Sequence, residues 1–294
     1  MFRQAPHDFD KIIKKLDEND KELAELDAYN NLNEKQIIIL CNALKNNTSL
    51  IKLNLSGNHI RIEGAKKIAE VIKYNTYLKI IMLESCGLYA DKLKSITEAL
   101  ETNTTLSELY LARNEIGSED APNIAAVLKV NVTLTILSLA YHEMGAGIQH
   151  ITNALKTNSS LRALSVSNGS IGVGFSSPMT DLVDTLKQNK TITFLNLSAT
   201  LLNDREAKIL ADAITINRSL TTLKLNDNYI GIAGRKYLTD ALQLNPILKN
   251  LEMTNNSNIY LGNNTSTLFN FRETAEKNER DITLINSLSS SYLG

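Results

Sequence analysis

Apolar and polar residues alternate along the chain in a short block, LxxLxL, that returns at a nearly fixed interval. Its first apolar residue falls at Leu50, Leu78, Leu106, Leu134, Leu161, Ile192, Leu220 and Leu248, with spacings of 28, 28, 28, 27, 31, 28 and 28 residues. A degenerate first copy starts at Leu23 with Leu26, which makes about nine. Alternation of period two predicts a half-buried strand. An N-x-[IL] step follows, as in Asn58-His59-Ile60 and Asn114-Glu115-Ile116. Apolar residues at helical spacing come next, such as Ala65, Ile68, Ala69 and Ile72. Each unit therefore reads as strand, turn, helix.

Neither half of a unit can bury its apolar face alone, so units must stack strand on strand and helix on helix. The expected fold is α/β: a horseshoe solenoid with a concave parallel sheet and convex helices. The units close at Asn75, Asn103, Asn131, Asn158, Asn189, Asn217 and Asn245. Asn tolerates the left-handed conformation that ends many helices, and these residues are expected to adopt it. The Asn of LxLxxN (Asn58, Asn114, Asn228) is expected to satisfy backbone groups in the buried turn after the strand. Cys86 is an accepted substitute there, whereas His142, Gly169 and Thr200 depart from the pattern.

Three regions follow. Residues 1–22 read as an amphipathic helical cap with Phe9, Ile12, Ile13 and Leu16 on one face. Residues 23–259 are the repeats, and residues 260–294 a C-terminal cap and tail, with Leu268, Phe269, Phe271 and Ala275 predicting a closing helix. The 31-residue spacing coincides with Gly169, Gly172 and Gly174, so residues 168–178 are expected to form an irregular, mobile loop.

The 28-residue period, LxxLxLxxNxIG and the helix start G-[AR]-x-x-[IL] (Gly64-Ala65, Gly234-Arg235) resemble the ribonuclease-inhibitor-like subfamily of leucine-rich repeats. The resemblance covers residues 23 to about 259 and implies a general-purpose binding scaffold. Ribonuclease inhibitor itself is Cys-rich and strongly acidic. This chain is neither, so nuclease inhibition is not implied.

Composition narrows the function. The 294 residues carry 31 basic and 32 acidic side chains, net −1, which leaves no chain-wide basic footprint for nucleic acid. No apolar run approaches the roughly 18–20 residues of a membrane span, and no Sec-type signal precedes the repeats. Two cysteines, Cys41 and Cys86, make no disulfide framework and read as core residues of a protein kept reduced. His7, His59, His142 and His150 are scattered without metal-ligand spacing and read as surface or loop residues. Gly169–Gly174 spaces like a phosphate loop, but Phe175 and Ser176 stand where Lys and Ser/Thr belong. No catalytic residue, metal or cofactor is expected. The N-x-[ST] sequons, such as Asn103 and Asn131, follow from helix-end Asn preceding Thr or Ser.

If the scaffold binds a protein, the residues between the strand leucines face the partner. Ile80, Met82, Tyr110 and Ile136 would form one exposed apolar patch across three strands. Arg113 and Tyr141 would flank it at the strand exits, Glu84 and Glu108 would rim it, and Phe194 would offer a second contact. Tyr and Arg beside aliphatics have the make-up of an interface hot spot.

Glu273, Glu276, Glu279 and Asp281 precede a Ser-rich, weakly apolar end. This tail resembles the C-terminal signal of effectors that Legionella-like bacteria deliver through the Dot/Icm type IV secretion system. The expectation is then a monomeric, non-enzymatic scaffold. It would be made in the bacterial cytoplasm and secreted into the host cytosol, where its concave face blocks or scaffolds a host protein. The alternative is a regulator of an enzyme, such as a GTPase activator or an enzyme inhibitor, acting through Arg113.

Overall fold

The computed structural model describes residues 8–169, 176–256 and 268–270. Strands β1 (Glu25–Asp27), β2 (Lys52–Asn54), β3 (Ile80–Met82), β4 (Glu108–Tyr110) and β5 (Ile136–Ser138) run parallel in chain order. They continue with β6 (Ala163–Ser165), β7 (Phe194–Asn196), β8 (Thr222–Lys224) and β9 (Asn250–Glu252). The pairing register keeps the central leucine of each strand opposite its equivalent, as in Leu53↔Ile81 and Leu109↔Leu137. That is the solenoid the period demands, because each unit adds one strand in the same register.

Between the strands lie α2 (Glu34–Leu44), α3 (Ile62–Tyr74), α4 (Ala90–Thr102), α5 (Ala121–Val130), α6 (Ile148–Leu155), α7 (Ser176–Gln188), α8 (Asp204–Ile216) and α9 (Ile232–Leu244). Each helix packs against the next, and one aliphatic core joins the inward strand leucines to the helices' apolar stripes. The N-terminal helix α1 (Phe9–Asp17) buries Phe9, Ile12 and Leu16 and packs against α2. Capping boxes start α2 and α8: the Asn33 side chain accepts from the Gln36 amide, and Asn203 with Glu206 repeats the arrangement.

The expected closing helix differs at its start. Leu268–Asn270 is a strand, β10, paired antiparallel with β9. An open sheet edge presents unpaired N–H and C=O groups, and a returning strand satisfies them where a helix would not. The remainder of the C-terminal segment, Phe271 and Ala275 included, lies outside the described residues. Of the expected loop, 170–175 lies outside them too, while its last residues, 176–178, already belong to α7. Gly169 is buried, and a Cβ there would stand 2.7 Å from the His142 carbonyl oxygen, which accounts for a glycine at that ladder position.

Two asparagine ladders hold the units together. In the first, Asn114 Nδ2 donates to Leu83 O at 2.6 Å and Leu111 O at 2.7 Å, while its Oδ1 accepts from the Cys86 and Leu88 amides. Asn58 and Asn228 do the same in their units. The substitutes keep the donor. Cys86 Sγ reaches Leu55 O at 3.2 Å and Thr200 Oγ1 reaches Leu197 O at 2.6 Å. Burial pushes the Cys86 thiol up to about 12, so it stays protonated and able to donate.

The second ladder corrects an expectation. The helix-end asparagines are not left-handed: Asn75 sits at φ −74°, ψ 129° and Asn131 at φ −74°, ψ 129°. Their extended backbone turns the amide inward. Asn75 Nδ2 donates to Leu44 O of the preceding helix at 2.7 Å, and its Oδ1 accepts from the Tyr77 and Leu78 amides. Asn103, Asn131, Asn158, Asn189, Asn217 and Asn245 repeat the bond to the preceding helix. A helix C-terminus leaves carbonyls without partners, and the next unit supplies the donor.

Candidate protein-binding groove

Strand alternation places three rows of side chains on the face away from the aliphatic core. One row runs Met82, Tyr110, Ser138, Ser165, Asn196 across paired strands. Two residues further along each unit, a second row runs Glu84, Ala112, Ala140, Ser167. A third, at the strand exits, runs Ser85, Arg113, Tyr141, Asn168. Together these residues, Met82 excepted, and Tyr29 line a groove with a cavity volume of about 60 Å³.

The third row is a backbone feature. Asn30, Gly57, Ser85, Arg113, Tyr141, Asn168, Ala199, Asp227 and Asn255 all have positive φ, each immediately ahead of a ladder position. The turn from strand to ladder requires the left-handed region in every unit. Gly and Asx accept it cheaply, whereas a bulky side chain costs roughly 1 kcal/mol or more. Arg113 at φ 60° and Tyr141 at φ 62° are the two bulky residues of the row. Tyr141 is 40% exposed, and the Arg113 guanidinium lies 4.1 Å from its ring centroid. A cation over an aromatic face at this distance is attracted by the ring quadrupole.

The expected exposed patch is corrected. Ile80, Met82, Tyr110 and Ile136 do come together, but as a second small core with Ala163 and Phe194. Tyr110 is 1% exposed, Met82 and Ile136 are buried, and Ile80 is half-buried at the margin. Phe194 joins this cluster instead of making a separate contact. Alternation gives the direction of a side chain, not its exposure. With neighbouring strands about 4.8 Å apart on both sides, large side chains in adjacent positions exclude water from one another. The Tyr110 hydroxyl keeps a partner at the surface, donating to Glu108 Oε2 at 2.8 Å.

Glu84 is placed differently from the other acids of this face. Its row neighbours are Ala112 and Ala140, which offer no donor. Among the described residues its carboxylate has no hydrogen bond or ion pair, and the charge of Arg113 acts on it from a distance. Burial pushes its carboxyl up to about 7, with Arg113 opposing the rise. Elsewhere on this face the charges are paired: Lys52 with Glu25 at 3.5 Å, Lys224 with Glu252 at 3.3 Å.

His142 is also corrected. It does lie in the connection after β5, but it is buried in the first ladder and not at the surface. Nε2 lies 2.9 Å from Leu111 O, and Nδ1 accepts from the Ile116 amide at 3.3 Å. The imidazole thus copies the donor and acceptor of asparagine, in its Nε2–H tautomer. Burial lowers its pKa to about 4. The 28-residue spacing from Asn114 was the signal that could have placed it.

Among the described residues no three His, Cys, Asp or Glu side chains gather as a metal site, and no helix is long and apolar enough to cross a membrane. Residues 5–111 match the family described as "TMOD/LMOD Leucine-rich domain", and residues 102–125 match "Leucine Rich repeat". No curated protein matches the sequence. A Bacteroides fragilis protein of solved structure is 13% identical, covers 85% of this chain and 70% of its own, and superimposes with a TM-score of 0.52. The leucine-rich repeat-containing protein LegL7 from Legionella pneumophila is 17% identical, with 80% and 75% covered and a TM-score of 0.51. Leiomodin-1 Actin-Binding Site 2 is 16% identical over 82% of this chain and 90% of its own, with a TM-score of 0.31. By repeat, sheet and the likeness to the Bacteroides and Legionella structures, the chain is in fold a leucine-rich-repeat solenoid.

Proposed function

We propose that the chain is a non-enzymatic scaffold that grips a partner protein in the groove lined by Arg113 and Tyr141. The observation that carries this reading is the pair Arg113–Tyr141, held at positive φ where the other units place small residues or Asx. A strained conformation kept for a half-exposed aromatic serves no packing need of the fold, and such strain gathers at functional sites. The 28-residue period supports placing the repeats in the ribonuclease-inhibitor-like subfamily. The acidic and Ser-rich tail supports delivery by a type IV system, with a host protein as partner. Deleting the last ten residues should stop delivery in a translocation reporter assay.

The binding test is capture from host-cell lysate with the wild-type chain and with Tyr141→Asn. Asn suits the left-handed backbone, so the variant keeps its stability while losing the ring. Loss of the captured protein is expected, and the same protein retained at equal yield overturns the reading. Actin, the ligand of the leiomodin fragment, is a separate arm of that experiment. If Arg113→Ala leaves binding intact but removes an effect on the partner's turnover, the chain is an enzyme regulator and not a passive scaffold.

A further inference from the structure

The geometry points to a basic partner: the groove takes a segment that inserts a lysine or arginine side chain against Glu84. This rests on the proposed use of the groove and names the chemistry of what enters it. Three observations carry it. Glu84 stands at one end of a floor whose next two residues, Ala112 and Ala140, are too small to fill the space above them. Its carboxylate is half-buried and, among the described residues, has neither a hydrogen bond nor an ion pair. A half-buried carboxylate without a donor is costly unless a donor arrives, and a cationic donor returns the most. The aromatic at the strand exit fits the same occupant. Tyr141, which lines the groove and is exposed, gives the alkyl stem of a long basic side chain an apolar face to lie along.

Charge complementarity selects a base over an acid. Of the charged residues lining the groove, Arg113 already lies over the Tyr141 ring and feels the field of Glu84, whereas among the described residues no cation reaches bonding distance of Glu84. An incoming carboxylate would meet Glu84 in the same confined space and be repelled.

The experiment is a selection from a phage-displayed library of random dodecapeptides against the folded full-length chain. Enrichment for Lys or Arg at one position is expected. The tightest peptide is then synthesised with that residue as arginine and as citrulline, which keeps the shape and removes the charge. Citrulline should weaken binding to the wild-type chain about tenfold or more, as should Glu84→Gln against the arginine peptide. The two changes together should cost no more than either alone. A library that yields no binder, yields binders without a basic position, or yields peptides indifferent to citrulline and to Glu84→Gln overturns the inference. Tyr141→Asn separates the two readings. If it abolishes peptide binding while Glu84→Gln does nothing, the groove binds but not through a base. If neither matters, the groove reading itself fails.

Discussion

Lowering the pH from about 7.5 to about 4 should destabilise the fourth and fifth repeats through one side chain, His142. In the unfolded chain its imidazole titrates at the usual 6.5, and in the fold burial lowers that to about 4. Above 6.5 neither state holds the proton, and stability is untouched. Between the two values the unfolded state binds a proton that the fold must expel, so stability falls as pH drops through this window. Below about 4 the loss is complete and amounts to about 3 kcal/mol. The structural reason is specific. Protonated Nδ1 becomes a donor facing the Ile116 amide, itself a donor 3.3 Å away. His142→Asn removes the titration but keeps the ladder chemistry that Asn114 shows. Urea midpoints of the two proteins, measured across the window, should diverge by that amount as pH falls. Carboxylates that titrate in both proteins cancel in the difference. Amide exchange at Ile116 gives the local readout, with protection lost near pH 4 in the wild type only. Parallel pH profiles of the two proteins would refute the reasoning.

Tyr110→Ala should cost about 3 kcal/mol in urea unfolding because the ring is part of a closed cluster, while Tyr141→Asn should change stability by less than about 1 kcal/mol. Glu84→Gln should stabilise the fold above pH 7 by about 2 kcal/mol, since the half-buried acid gives up its proton in the fold only near 7, against 4.5 when free, so ionisation costs stability as pH rises. The gain should vanish below about pH 4.5, as thermal melts at the two extremes would show. Gly234→Ala should lose about 1–3 kcal/mol, as a Cβ there would stand 2.6 Å from Asp204 Oδ1, the acceptor for the Gly234 amide. Asn217→Ala should lose roughly 2–3 kcal/mol in chemical unfolding, because Leu186 O and the Ser219 and Leu220 amides lose their partner together.

The parallel sheet was legible in the spacing of Leu50, Leu78 and their successors, because a solenoid adds one strand per period. Helix starts at Gly64 and Gly234 were legible as a motif, but not their cause. A carboxylate of the preceding unit, Glu34 or Asp204, caps each of these helices from where a side chain would sit. The helix-end asparagines were legible as a series, but their backbone conformation was not. Local propensity suggested a left-handed cap, and the contact that decides their backbone lies one unit away. The same limit hid His142, whose ladder role depends on Leu111 and Ile116. For the groove, alternation gave the right face and the right residues. It could not tell the half-exposed Tyr141 from the buried Tyr110, because exposure depends on what stands on the neighbouring strands. The left-handed row was present in the sequence as the residue ahead of each ladder position, but only the backbone reveals its strain.

Whether the groove is the binding surface is tested most directly by amide hydrogen exchange of the full-length chain, free and with its captured partner. Binding in the groove predicts added protection at residues 84–85, 112–114 and 140–142, with the helices α3 to α9 unchanged. Protection confined to those helices, with the strand exits exchanging as in the free chain, would contradict it.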